Sequence, residues 1–138
     1  MTRTEVIREL IRLGELSHAY WHKELPKRHP KYPLVQPGED SGPPPPADDQ
    51  IQHLLKTLPE RDLYILLTLM YVGRGDFDLN HLKSGYLRMK ESFPSRDSVI
   101  DQMVGMGVLS EYLADAMEEI RQGHIDVDTA TFEASVAT

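Results

Sequence analysis

The sequence predicts an all-α protein of about six helices packed around one buried central helix, with a Pro-rich linker after the first helix. Three observations lead there. From Leu63 to Val72 every residue except Thr68 is apolar, so a helix over this run has no polar face and needs cover on all sides. Segments on either side repeat apolar residues at steps of three and four, the period of one helix face. Eight of the ten prolines fall between Pro26 and Pro46, and they interrupt regular structure early in the chain.

Taken in order, residues 1–24 form an N-terminal amphipathic helix. Val6, Ile7, Leu10, Ile11, Leu13, Gly14, Ser17, Tyr20 and Trp21 supply the inner spacing, with Arg and Glu between them. Thr2 or Thr4 is placed to cap it, and Pro26 is expected to stop it soon after Glu24. Gly14 costs about 1 kcal/mol against Ala in a helix interior, which a close helix crossing would offset. Residues 25–47 read as a linker: Pro43 to Pro46 suit a polyproline rod, and Gly38 to Gly42 suit a mobile stretch. As a Pro-rich ligand for an aromatic groove the stretch is poorly matched, because its basic residues are wrongly spaced.

Residues 48–123 are expected to form the helical core. Asp48 reads as an N-cap for a short helix with Ile51, Leu54, Leu55 and Leu58 inward. Thr57 and Glu60 have the spacing of a capping box for the central helix, and Pro59 suits its first turn. Glu60 and Asp62 put negative charge at the positive end of its dipole. Gly73 is expected to close it in the left-handed conformation, with Gly75 as a second permissive position. About fifteen residues at 1.5 Å each span some 22 Å, short of the roughly 30 Å of a bilayer core, so protein is the expected cover. Burying nine large side chains here is worth on the order of 15–25 kcal/mol as an upper bound.

Beyond the turn, Asp76 or Asp78 is placed to cap a helix whose Leu79, Leu82, Tyr86, Met89 and Phe93 share a face, and Pro94 ends it. Ser95 opens the next helix, with Val99, Ile100, Met103 and Val104 inward, and the Gly105-Met106-Gly107 run closes it. Ser110 is expected to cap a last helix carrying Leu113, Ala116, Met117 and Ile120, with Gly123 at its end. Residues 124–138 show no period and few large apolar groups, and a flexible tail is expected.

One core is what 138 residues at 40% hydrophobic can build. The absence of cysteine excludes disulfides, thiol catalysis and thiolate metal sites, and it fits a reducing cytoplasm. Charged residues occupy the N-terminus where a secretory signal needs an apolar run. The net charge of −7 is uneven: residues 1–31 carry seven basic against four acidic side chains, and residues 32–138 carry eight against eighteen. An acidic body repels phosphate, so nucleic acid is a disfavoured partner.

The run Tyr71-Val72-Gly73-Arg74-Gly75-Asp76-Phe77, with Met106-Gly107-Val108-Leu109-Ser110-Glu111-Tyr112-Leu113 some thirty residues later, resembles a small family of bacterial helical proteins classed as a domain of unknown function. The resemblance covers roughly residues 50–122. It implies a helical fold and a bacterial cytoplasmic origin, and it carries over no activity, cofactor or site residue.

Several clusters have the makings of chemistry. Glu15, His18 and His22 fall at i, i+3 and i+7, so a helix puts them on one face, and two imidazoles four residues apart can grip one divalent ion. Ordinary exposed residues are the simpler reading. Asp76, Asp78 and Asn80 alternate as in a calcium loop, but His81 stands where that loop needs Gly and Leu87 where it needs Glu. Arg74, Asp76 and Asp78 beside flexible glycines and a helix start are the first place to look for a small-ligand pocket. Lys23, Lys27, Arg28, His29 and Lys31 form a basic cluster, which suits an acidic partner or the chain's own Glu111, Asp115, Glu118 and Glu119 stripe. No serine elbow, histidine–carboxylate–serine arrangement or phosphate loop is present, so no catalytic residue and no cofactor are assigned. The expectation is a small cytoplasmic interaction or scaffold module, self-associating as a homodimer through its first helix, with no membrane partner. The alternative is a ligand- or metal-binding protein, enzymatic or not, using the Gly73–Asp78 turn or His18 and His22.

Overall fold

A computed structural model of the chain describes residues 2–28, 46–105 and 108–129. Among these are six α-helices, one short 3-10 turn and no strand: α1 (Arg3–Arg28), α2 (Pro46–Lys56), α3 (Glu60–Arg74), the 3-10 turn Leu79–His81, α4 (Leu82–Ser92), α5 (Arg96–Val104) and α6 (Leu109–Gln122). The all-α class and the number of helices are as expected. The expected Pro-rich linker lies outside the described residues, apart from the helix ends on either side.

In α3, Leu63 to Met70 and Val72 are buried, and Tyr71 is half-buried. The one buried polar side chain among the described residues, Thr68, donates to the Tyr64 carbonyl one turn back at 2.7 Å, which satisfies a hydroxyl that would otherwise cost stability. Helix α3 packs most extensively on α6 and also against α4 and α5, while α1 packs on α6 and α2, and α2 on α5. The clean stripe of α4 turns Leu82, Tyr86 and Met89 inward. The Tyr64 and Tyr86 rings meet edge to face at 6.2 Å, and the Tyr64 hydroxyl donates to the Phe93 carbonyl. Burial, with the Glu60 charge adding to it, pushes the Tyr64 phenol up, so it stays a neutral donor.

Several element ends differ from the expectation, each for a visible reason. Helix α1 runs to Arg28 and so passes through Pro26. Proline there removes one backbone bond, and the helix ends two residues later. Thr2 caps it, accepting from the Glu5 N–H at 3.1 Å. Asp48 is not an N-cap, because α2 already begins at Pro46 and the Asp48 carboxylate is turned to α1. The Thr57–Glu60 capping box does not form: Pro59 is the N-cap with no side-chain bond, and the Thr57 hydroxyl donates backward to Leu54 O at 2.6 Å. Ser110 lies inside α6, whose N-cap is Val108 without a side-chain bond. Ser95 does cap α5, in a reciprocal box with Ser98.

The closing glycine of α3 is Gly75, at φ +97°, and not Gly73. Gly75 N–H bonds Val72 O at 3.0 Å and Asp76 N–H bonds Tyr71 O at 2.9 Å, the paired closure that a left-handed glycine permits. Gly73 stays helical and serves packing: a Cβ there would fall 1.7 Å from the Tyr112 carbonyl oxygen of α6. Gly14 of α1 meets α6 in the same way, its absent Cβ falling 2.9 Å from Ser110 Cβ, which is the close crossing its sequence position asked for.

The expectation of a flexible tail is corrected for residues 124–129. Val127 is 3% exposed and belongs to the core. Arg3 donates to Val127 O at 3.0 Å and to Asp62 Oδ1 at 2.9 Å, and the Asp128 carboxylate accepts from the Thr4 N–H at 2.8 Å and its hydroxyl at 2.9 Å. These polar anchors, which have no periodicity, hold the segment against the start of α1. Residues 130–138 lie outside the described residues.

Candidate functional site

The turn after α3 gathers part of the expected ligand set. Closure at Gly75 reverses the chain, and Arg74 Nε then pairs with Asp76 Oδ2 at 3.2 Å, with its guanidinium 5.4 Å from the Tyr71 ring centre. Asp78 caps the 3-10 turn, accepting from the Asn80 N–H at 3.0 Å, and meets His81 Nδ1 at 2.6 Å. The His81 contact, reinforced by the Asn80 N–H, holds the Asp78 carboxyl below its usual range. A surface pocket of about 550 Å³ opens here, walled by Gly75 to Asp78 on one side and by His81, Ser84, Arg88 and Glu119 on the other. Asp76 and Asp78 are thus brought together, while Arg74 lies outside the wall and Arg88 takes the basic position. Ser84 and Arg88 are four residues apart on α4, a spacing the sequence displays. Glu119 comes from α6, and only folding brings it near.

His18 and His22 are both exposed, and their rings stack 17° from parallel with centres 6.2 Å apart. Glu15 is also exposed on the same helix. Among the described residues no group of three His, Asp or Glu side chains is arranged to hold a metal ion.

The acidic stripe Glu111, Asp115, Glu118 and Glu119 is exposed on α6. Glu118 is already engaged by Arg121 at 2.5 Å and by Gln122 at 3.2 Å. Of the basic cluster expected to meet it, Lys23 is exposed on α1, and the side chains of Lys27, Arg28, His29 and Lys31 lie outside the described residues.

Sequence reasoning missed a more enclosed site at the junction of α1, α2, α5 and α6. Ser17, His18 and Trp21 of α1, Asp48 and Ile51 of α2, and the Val104–Gly105 end of α5 wall a pocket of about 290 Å³. The Asp48 carboxylate accepts from the Ser17 hydroxyl and, at 3.3 Å, from the Trp21 indole N–H. No spacing rule could have found this, because its polar contacts join residues some thirty positions apart on two helices.

Among the described residues no helix is long and apolar enough to cross a membrane. No curated protein and no solved structure matches the chain. The expected resemblance covered roughly residues 50–122, and a family profile now matches almost that span. The profile for the family described as "Protein of unknown function (DUF3775)" matches residues 48–121, more than half of the chain, and the protein belongs to that family.

Proposed function

We propose that this protein is a small cytoplasmic interaction module that self-associates through the outer half of α1. The observation that carries the reading is the uneven burial of that helix. Val6, Ile7, Leu10, Leu13 and Gly14 are buried, yet from Glu15 to Lys23 no residue is, although the stretch holds Leu16, Tyr20 and Trp21. Leu16 is 50% exposed, one of two large apolar side chains so exposed among the described residues. A short helical stretch that gains little from packing is marginal in water, and a second copy laid along it would bury these groups.

The test is the mass of the full chain in solution, with and without Leu16→Asp. Sedimentation at micromolar concentration should give twice the 15.7 kDa chain mass for the native protein, and the single-chain mass for the variant with helicity unchanged. A native protein that stays at 15.7 kDa at the highest soluble concentration removes self-association.

A second reading, ligand binding at the turn, is favoured by the pocket of about 550 Å³ and the mixed charges of Asp76, Asp78, Arg88 and Glu119 on its wall. A thermal-shift screen of small zwitterions and anions, repeated on Arg88→Ala, checks it. A ligand whose stabilisation survives that variant does not sit there.

A further inference from the structure

We infer that the pocket between α1, α2, α5 and α6 binds a small organic cation, an arylalkyl- or alkylammonium, on the Asp48 carboxylate. Ser17 and Trp21 each donate a hydrogen bond to Asp48. Both donors are neutral, so they orient the carboxylate without adding an opposite full charge. Each carboxylate oxygen can accept a further bond. Among the described residues no lysine or arginine pairs with Asp48, and none lines the pocket. An anion placed here would face that charge at short range. An ammonium would gain a charge-assisted hydrogen bond, which is among the stronger polar contacts available.

The remaining walls suit the rest of such a molecule. Ile51, Val104 and Leu109 give apolar cover, and Gly14 and Gly105 complete the wall. Trp21 is held in place by its N–H bond to Asp48 and by an edge-to-face contact with Tyr20, ring centres 5.4 Å apart. A fixed indole is the best aromatic partner for a cation. The volume of about 290 Å³ equals roughly ten waters at ~30 Å³ each, room for one ring and a short chain.

Trp21 is the only tryptophan of the chain, so its indole N–H gives one unambiguous signal in a nitrogen–proton NMR spectrum. The full chain is titrated near neutral pH with phenethylammonium, with the neutral phenethyl alcohol and with phenylacetate. The expected result is a saturable shift with the amine, at least about tenfold weaker apparent affinity for the alcohol, and none for the acid. Asp48→Asn keeps one acceptor, for the Trp21 indole, while the Ser17 hydroxyl can turn to accept from the new amide, and the variant should bring the amine down to the level of the alcohol. Should that variant lose its helicity, the three probes on the native chain decide alone. No saturable shift with the amine up to low millimolar concentration overturns the inference. So does equal binding of amine and alcohol, or amine binding unchanged in a folded Asp48→Asn.

Discussion

Helix α6 is crossed by two glycines from different helices, and the two crossings are built to different tolerances. Gly73 of α3 faces the backbone of Tyr112, whose carbonyl oxygen and carbon lie 1.7 and 2.6 Å from where a Cβ would stand. Gly14 of α1 faces Ser110, with Cβ at 2.9 Å and backbone nitrogen at 3.2 Å. A main-chain oxygen only 1.7 Å away cannot be cleared unless α6 itself moves, while the Ser110 atoms, at 2.9 Å and beyond, need give by only a few tenths of an ångström. The α3–α6 crossing, inside the segment that the family profile covers, is therefore the fixed joint. The α1–α6 crossing is adjustable, as suits a helix whose outer half is not buried.

The largest way to break that contrast is Gly73→Ala. Alanine gains about 1 kcal/mol in helix propensity, but α6 would have to move more than an ångström, and overpacking should cost at least about 3 kcal/mol net. Chemical denaturation checks this, and a variant as stable as the native chain would show the crossing to be soft. Next comes Arg3→Ala, which cuts the tie of α1 to Asp62 and to the Val127 carbonyl. The pair is mostly shielded, with side chains 15% and 24% exposed, so a loss of about 2 kcal/mol is expected. Hydrogen exchange should rise first at the Thr4 N–H, because the loss frees residues 124–129. Gly14→Ala should cost less, about 1 kcal/mol, since the propensity gain offsets much of the crowding against Ser110. A loss as large as that of Gly73→Ala would erase the distinction.

The smallest effect is that of pH. Glu9 beside Arg12, Asp78 beside His81, Glu118 beside Arg121 and Asp128 beside the Thr4 N–H are all held below their usual values of 4.5 and 3.8. A depressed carboxyl contributes stability above its unfolded value and loses it as pH falls through the lower folded value. Three of these groups are exposed and Glu9 is half-exposed, so only a shallow fall in melting temperature is expected between about pH 5 and about pH 2, and added salt should flatten it. A steep cooperative loss above about pH 5 would point to a different titrating group.

How legible the protein was depends on how local each signal is. The helix over Leu63 to Val72, three residues of the expected five-residue stripe (Leu82, Tyr86 and Met89) and the Ser95 cap are written in consecutive or helically spaced residues and form as read, while Leu79 falls in the 3-10 turn and Phe93 just past α4. The two aspartates of the turn, two residues apart, were named for the same reason, and they line one pocket. Arg88 and Glu119 joined them only through packing. Thr57, Asp48 and Ser110 stood at capping positions, yet none caps as expected.

By itself the sequence determined that the chain is helical and named many of the residues that hide from water, because helix period and apolar burial depend on neighbours within one or two turns. It missed Val127 and counted Tyr20 and Trp21 inward. Tertiary structure alone decided that Gly73 is a joint and Gly75 the stop, that residues 124–129 return to Arg3 and Thr4, and that Asp48 meets Ser17 and Trp21 across a pocket. Those outcomes rest on distances between residues far apart in the chain, and no local pattern carries that information until the helices have crossed.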